Sequence, residues 1–251
     1  MIHSNEAVRD TFSAVSKDGL VASPVRVAVV QCDPKVGVEN LERNLHAAQS
    51  HLEAAARQGA KLVVLPELVT TGYCFTGRDE AFAHSETIPD GRAVSSWVAI
   101  AAKHDIYIVG CIVERDEDRI YDTAVLIGPK GYIGRYRKTH LWNNEKLWFT
   151  PGDEGFPVFD TPIGRIGLLV CWDIWFPETT RIVAQQGADI ICLPTNWVWT
   201  PPPLYDASGV CMAAYLTITA AHANNVFIAA ADRVGQELSL IHISEPTRQE
   251  A

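Results

Sequence analysis

Two short apolar runs, each opened by Gly-Ala and each carrying Leu-Pro near its end, constrain this chain more than any other feature. GAKLVVLPEL spans 59–68 and GADIICLPTNW spans 187–197. Runs this short, rich in Val, Ile and Leu, read as strands buried on both faces. Each follows a segment with helical signals. Val38, Leu41, Leu45, Ala48, Leu52 and Ala55 recur at spacings of three and four, as in an amphipathic helix, and Gly59 stands where a C-terminal cap belongs. In the second half Pro177 suits a first helical turn and Gly187 its end. The pair reads as a weak internal repeat of two β-α-β halves.

Further elements fit between these. VRVAVVQ (25–31), IYIVGCIVE (106–114), TAVLIG (123–128), YIGRYRK (132–138) and VFIAAADRV (226–234) are strand-like, and FPVFDTPIGRIGLLVC (156–171) reads as a hairpin plus a buried strand. Ala93, Val94, Trp97, Val98 and Ala101 mark a second helix, and ASGVCMAAYLTITAAHANN (207–225) a later one. Buried strands alternating with helices predict an α/β layered fold, with helices covering the sheet faces. The hairpins make the sheets mixed rather than purely parallel. A chain of 251 residues is one large domain or two small ones.

Composition narrows the partners. Hydrophobic residues are 47% and charged residues 20%, the balance of a globular protein and not of a disordered or fibrous one. A net charge of −9 argues against binding nucleic acid or an anionic membrane surface. No apolar run is long enough for a transmembrane helix. Residues 1–24 are mixed and charged, a loose leader without a signal-peptide core. Cysteines at 32, 74, 111, 171, 192 and 211 form neither a CxxC pair nor a zinc spacing, which predicts a reducing, cytoplasmic setting without disulfides.

Three reactive side chains stand at the ends of strand-like runs: Glu67 after KLVVLP, Lys138 after YIGRYR, and Cys171 after IGLLV. In α/β sheets, ligands bind beyond the carboxyl ends of strands. A thiol nucleophile at Cys171, a carboxylate base at Glu67 and a cation at Lys138 for a developing oxyanion, aided by the Trp172 backbone N–H, would make a coherent set. Taken singly, each has a plainer reading. A cysteine after an apolar strand is more often core, a glutamate after Leu-Pro more often a solvated loop residue, and a lysine in GRYRKTHLW more often surface. Their separations in sequence say nothing about space.

Together, LPELVTTGY around Glu67, GRYRKTHLW around Lys138, NEKLWFTPGD around Glu145 and LLVCWDIWFPE around Cys171 resemble the nitrilase, or carbon–nitrogen hydrolase, superfamily, in its order and at about its spacings. VRVAVVQCDPKVGVENLERNL and GADIICLPTNW match its other segments, so the resemblance covers 25–236. It implies a four-layer α-β-β-α sandwich and a Glu-Lys-Cys triad. By that resemblance Cys171 is the nucleophile, Glu67 the general base, Lys138 the catalytic lysine, and Glu145 a second acid that orients lysine or substrate. On its own, Glu145 reads as a partly exposed acid at a helix start. The implied reaction is hydrolysis of a small linear amide or N-carbamoyl amine through a Cys171 thioester, with no metal and no cofactor. Nitrile hydrolysis, acyl transfer and a non-catalytic binding protein retaining the fold are the alternatives. A homo-oligomer is the family expectation.

Tyr73, Trp142, Trp172, Trp175 and Asn196 lie in or beside the motifs and are candidates for the substrate wall. His140, two residues after Lys138, invites a Cys-His dyad, but the resemblance makes it only a neighbour of the lysine. Asp173 is expected to hold a backbone turn. GxGxxG, GxxxxGK[ST] and HExxH are absent. The stretch 238–251 breaks the pattern, and SLIHISEPTR resembles a translated sequencing adapter. The hydrolase domain is therefore expected over 25–237, incomplete at its C-terminus, followed by a non-native tail. Missing strands would expose a sheet edge and apolar helix faces, a liability for stability and solubility.

Overall fold

The computed structural model describes residues 24–197 and 206–235. The expected leader, apart from Pro24, and the expected tail lie outside these residues. Two mixed sheets form. The first holds β1 (Val27–Val29), β2 (Leu62–Val64), β3 (Tyr107–Asp116), β4 (Arg119–Gly128) and β5 (Gly131–Arg137) in sequential order, with β1, β2 and β3 parallel and the last two pairings antiparallel. The second holds β6 (Val158–Thr161), β7 (Gly164–Leu168), β8 (Ile190–Thr195) and β9 (Phe227–Asp232), antiparallel at the first pairing and parallel at the next two. The helices are α1 (Leu41–Arg57), α2 (Arg78–Ala83), α3 (Arg92–His104), α4 (Glu145–Trp148), α5 (Pro177–Gln185) and α6 (Met212–Asn224).

Side-chain alternation along the strands builds the layers, because neighbouring residues of a strand point to opposite faces. Val63, Leu65, Ile108 and Ile112 face outward and bury against Leu45, Ala48 and Leu52 of α1 and Val94, Trp97 and Ala101 of α3. Leu62, Val64, Val109 and Cys111 face inward and share a core with Leu168, Ile191 and Leu193 of the second sheet. On the far side, α5 packs so closely on β7 that a Cβ at Gly167 would lie 2.3 Å from Val183 Cγ1. The result is an α-β-β-α sandwich of the expected type. No helix among the described residues is long and apolar enough to cross a membrane. Met212, Tyr215, Ile218 and Phe227 leave apolar area exposed on α6 and β9.

The repeat is visible in space. Gly59 and Gly187 both take a left-handed conformation, φ 84° and 87°, just after α1 and α5. A side chain is disfavoured there, which explains glycine at both places. The chain then enters β2 and β8. The two Leu-Pro corners meet, with Glu67 N–H donating to Thr195 C=O at 3.2 Å. Both residues stand immediately after Leu-Pro in their own half.

Candidate active site

The corner after β2 carries Glu67, and Lys138 follows directly on β5. Both are buried, and Lys138 Nζ donates to Glu67 Oε1 at 2.6 Å. The same ammonium donates to Glu145 Oε1 at 2.7 Å and lies 3.3 Å from Asp122 Oδ2. Glu145 opens α4 and is only 3% exposed, so it is a buried acid rather than the partly exposed helix-start acid that its local sequence alone indicates. Its carboxylate also accepts from Trp142 N–H at 2.8 Å and from the Tyr73 hydroxyl. Asp122, on β4, accepts from the Cys111 thiol at 3.0 Å. One oxygen each of Glu67, Asp122 and Glu145 lies within 4.8 Å of the others, a set compact enough to hold a cation, and the Lys138 ammonium reaches all three residues.

Cys171 reaches this cluster from the other sheet. β7 ends at Leu168, and the chain turns into a 3-10 helix over Cys171–Trp175. Cys171 itself has φ 44°. A non-glycine residue in this left-handed region costs about 1–2 kcal/mol, so the surroundings must hold it there. Asp173 is what holds it. Fully buried, it accepts from Val170 N–H at 3.0 Å and the Tyr136 hydroxyl at 2.9 Å with Oδ2, and from His140 N–H at 3.2 Å with Oδ1. His140 Nδ1 lies 2.7 Å from Asp173 Oδ1, and its ring stacks on Phe176 at 3.8 Å between centroids. Asp173 thus ties the turn before the thiol to the loop after β5, and that is also where His140 is engaged.

The electrostatics follow from burial. Burial alone would push the Lys138 ammonium down, but Glu145, Glu67 and Asp122 outweigh it and hold its proton affinity well above the ordinary lysine range. Burial pushes the Glu67 carboxyl well up, Lys138 pulls it part of the way back, and Asp122 and Glu145 push it up again. Glu145 is raised by the same burial, against the pull of Lys138. Burial raises the Cys171 thiol well above the usual range, Glu67 adds to that, and Lys138 and the Asn196 backbone N–H oppose it. The resting sulfur therefore carries its proton and needs a base to lose it. Glu67 Oε2 is buried and receives no hydrogen bond from a donor, so one acceptor position of this carboxylate is unused.

Of the candidate wall residues, Trp172 and Trp175 stack at 4.5 Å, and Trp142 lies 6.2 Å from Trp172. These rings form one aromatic flank beside Cys171. Asn196 is buried beside the sulfur, with its side-chain Oδ1 unpartnered. Tyr73 is buried, and its hydroxyl is spent on Glu145. Asp122 has no motif to mark it in the sequence, although it lies 3.3 Å from the lysine. Its signal was an acid next to an otherwise apolar strand, YDTAVLIG.

Comparison with known proteins agrees with this architecture. The chain is 40% identical over 221 residues to a protein of Pyrococcus abyssi named nitrilase, covering 88% of this chain and 79% of that one. It is 31% identical over 163 residues to an N-carbamoylputrescine amidase of Solanum lycopersicum, covering 62% of this chain and 54% of the relative, so it spans only about half of that protein. A solved carbon–nitrogen hydrolase from Helicobacter pylori G27 superposes with a TM-score of 0.74 at 28% identity, covering 85% of this chain and 75% of that one. Residues 26–246 match the family described as carbon–nitrogen hydrolase, and the chain belongs to that family of hydrolytic enzymes.

Proposed function

We propose that this chain hydrolyses a small linear amide or N-carbamoyl amine through a Cys171 thioester. The observation that carries this reading is the placing of one protonated thiol, one open carboxylate oxygen and one fixed ammonium in a single buried cluster. As Cys171 Sγ bonds to the carbonyl carbon, its proton passes to Glu67 Oε2. Lys138 and the Trp172 backbone N–H stabilise the oxyanion that forms. Glu67 then gives the proton to the leaving nitrogen, and ammonia or an amine departs. Water, deprotonated by the same carboxylate, attacks the thioester and frees the acid. Glu145 keeps Lys138 in place from the side of α4.

Trp142, Trp172, Trp175, Tyr73 and Asn196 surround the scissile group in this reading, and the aromatic flank suits a substrate with an apolar stretch. A nitrile is the second substrate class, favoured by the name of the Pyrococcus relative. The same thiol would add to the nitrile carbon to give a thioimidate. The test is ammonia release from a panel of amides, carbamoyl amines and nitriles, with Cys171→Ala alongside. Release from the native protein that disappears in the variant supports the reading, and the best substrate names the class. Release that survives Cys171→Ala, or none from a folded native protein, sinks it.

A further inference from the structure

Asp122 has no part in the mechanism above, yet it is fully buried against the catalytic lysine. Oδ1 accepts the Cys111 thiol at 3.0 Å, whereas Oδ2, 3.3 Å from Lys138 Nζ, has no hydrogen-bond partner. Glu67 Oε2 is buried and unpartnered in the same way, and the two carboxylates lie within 4.8 Å by their nearest oxygens. Two neighbouring acid groups beside one ammonium that already serves Glu145 crowd negative charge, and Asp122 raises Glu67 both by its charge and as a hydrogen-bonding neighbour. A protein keeps such crowding buried only at a cost, which is the reason to look for its use.

We propose that Asp122 is a positioning residue that acts through Lys138: it competes with Glu67 for the ammonium and so keeps Glu67 basic enough to take the Cys171 proton. The inference rests on Glu67 being the base. With Lys138 wholly committed to Glu67 and Glu145, the Glu67 carboxylate would be stabilised as an anion and reluctant to accept a proton. A third carboxylate at ion-pair distance weakens that hold, and its own charge raises Glu67 further. The charged and titratable groups around this pair are Cys111 from β3, Lys138 after β5, Glu145 from α4, Tyr73 from the loop after β2, and Cys171 from the 3-10 helix. Of these, Cys111 donates its thiol to Asp122 Oδ1, and that bond fixes the carboxylate with Oδ2 turned to Lys138.

The test uses no assumed substrate. Iodoacetamide forms a bond from its methylene carbon to Cys171 Sγ, iodide leaves, and the thiol proton passes to Glu67. The rate of Cys171 alkylation against pH, read by peptide mass spectrometry, therefore falls on the acid side as Glu67 becomes protonated. Asp122→Asn removes a charge that raises Glu67, so Glu67 gives up its proton at lower pH, and the acid limb moves to lower pH while the plateau rate falls. Cys111→Ala removes the donor that fixes Asp122 Oδ1, loosens Oδ2 from Lys138, and moves the limb the same way by less. In the double variant the cysteine change adds nothing, because its effect runs through Asp122. A limb that stays in place in Asp122→Asn, with only stability or plateau lost, makes Asp122 structural and overturns the proposal. Should Asp122→Asn not fold, Cys111→Ala alone decides by the same criterion. Glu67→Gln separates the two readings. A profile unchanged in Glu67→Gln overturns the base assignment itself, whereas a lost limb there beside an unmoved limb in Asp122→Asn overturns only this inference.

Discussion

Glu67 gives one carboxylate oxygen to Lys138 Nζ at 2.6 Å and leaves the other buried and unpartnered. The two oxygens have different tasks. The first fixes the side chain, and in the proposed reaction the second takes the proton from Cys171. A carboxylate with both oxygens satisfied would be as well anchored but a poorer base.

Selective alkylation follows from that free oxygen. Burial pushes the Cys32 thiol up to about 12, and raises Cys111 and Cys192 as well. Burial also holds Cys171 protonated, but Cys171 has both Glu67 and the opposing pull of Lys138 on it, whereas Cys111, which also feels Glu67, has its thiol committed as a donor to Asp122. At mildly alkaline pH, iodoacetamide is expected to modify Cys171 ahead of Cys32, Cys111 and Cys192. Equal rates at all four, measured by peptide mapping of the folded protein, would remove the case for an activated thiol.

Lys138→Met should destabilise the fold as well as stop turnover. It strips the cation from three buried carboxylates, and breaking a buried pair in this way costs about 3–5 kcal/mol. Glu67 and Glu145 bind protons more tightly in the folded state than in the unfolded one. Groups raised in this way stabilise fully below their unfolded range and lose that contribution as pH rises through the folded value. The deficit against the native protein should therefore be small at about pH 5 and wide at about pH 8 by urea unfolding. A deficit that does not change with pH would contradict the charge cluster.

Asp173→Ala should misplace the Cys171 thiol. It leaves the buried Val170 N–H and Tyr136 hydroxyl without their acceptor, at about 1–3 kcal/mol for each group. It also frees Cys171 to relax from φ 44°. The expected result is a lower urea midpoint together with slower alkylation of Cys171. Loss of stability with native alkylation kinetics would show that the turn holds without Asp173.

Gly152→Ala tests the backbone behind the lysine. A Cβ there would lie 2.0 Å from the Arg137 carbonyl oxygen, and backbone cannot swing aside as a side-chain tip can. Gly152 N–H also donates to Lys138 C=O at 2.9 Å. Overpacking of this kind costs about 1–3 kcal/mol, and the displaced strand end should carry Lys138 with it. Thermal unfolding and ammonia release should both decline. Native values for both would mean that the loop at 152 moves independently of Lys138.

Much of the fold was legible because buried strands advertise themselves. KLVVLPE, IYIVGCIVE and IGLLVC are β-branched or apolar runs bounded by turn residues, and the spacing of Leu45, Ala48 and Leu52 fixes the inner face of α1. Helices α2 and α4 span six and four residues, too short for a period to show. The burial of Glu145 could not be seen either, since Tyr73 comes from a distant part of the chain and Lys138, although close in sequence, is itself buried by contacts with Glu67 and Asp122. Glu67, Lys138 and Cys171 were legible as a set through their motifs. The strain at Cys171 was not, because nothing in LLVCWD marks a left-handed cysteine in the way that glycine would. Asp122 stands one residue before the apolar run 123–128, just outside the pattern that marks the strand.

The meeting of the two Leu-Pro corners has a mechanical consequence. Glu67 and Lys138 ride on one sheet and Cys171 on the other, so the distance from the Cys171 thiol to the Glu67 carboxylate is set by how far the sheets have slid past each other. The layers are joined by side chains and by contacts such as Glu67 N–H to Thr195 C=O, not by a continuous ladder. A shear of one ångström between them would break no strand pairing, yet a misplacement of that size is worth about 100-fold in rate. The core between the sheets is in this sense a gauge block, and its packing tolerance is the tolerance of the chemistry.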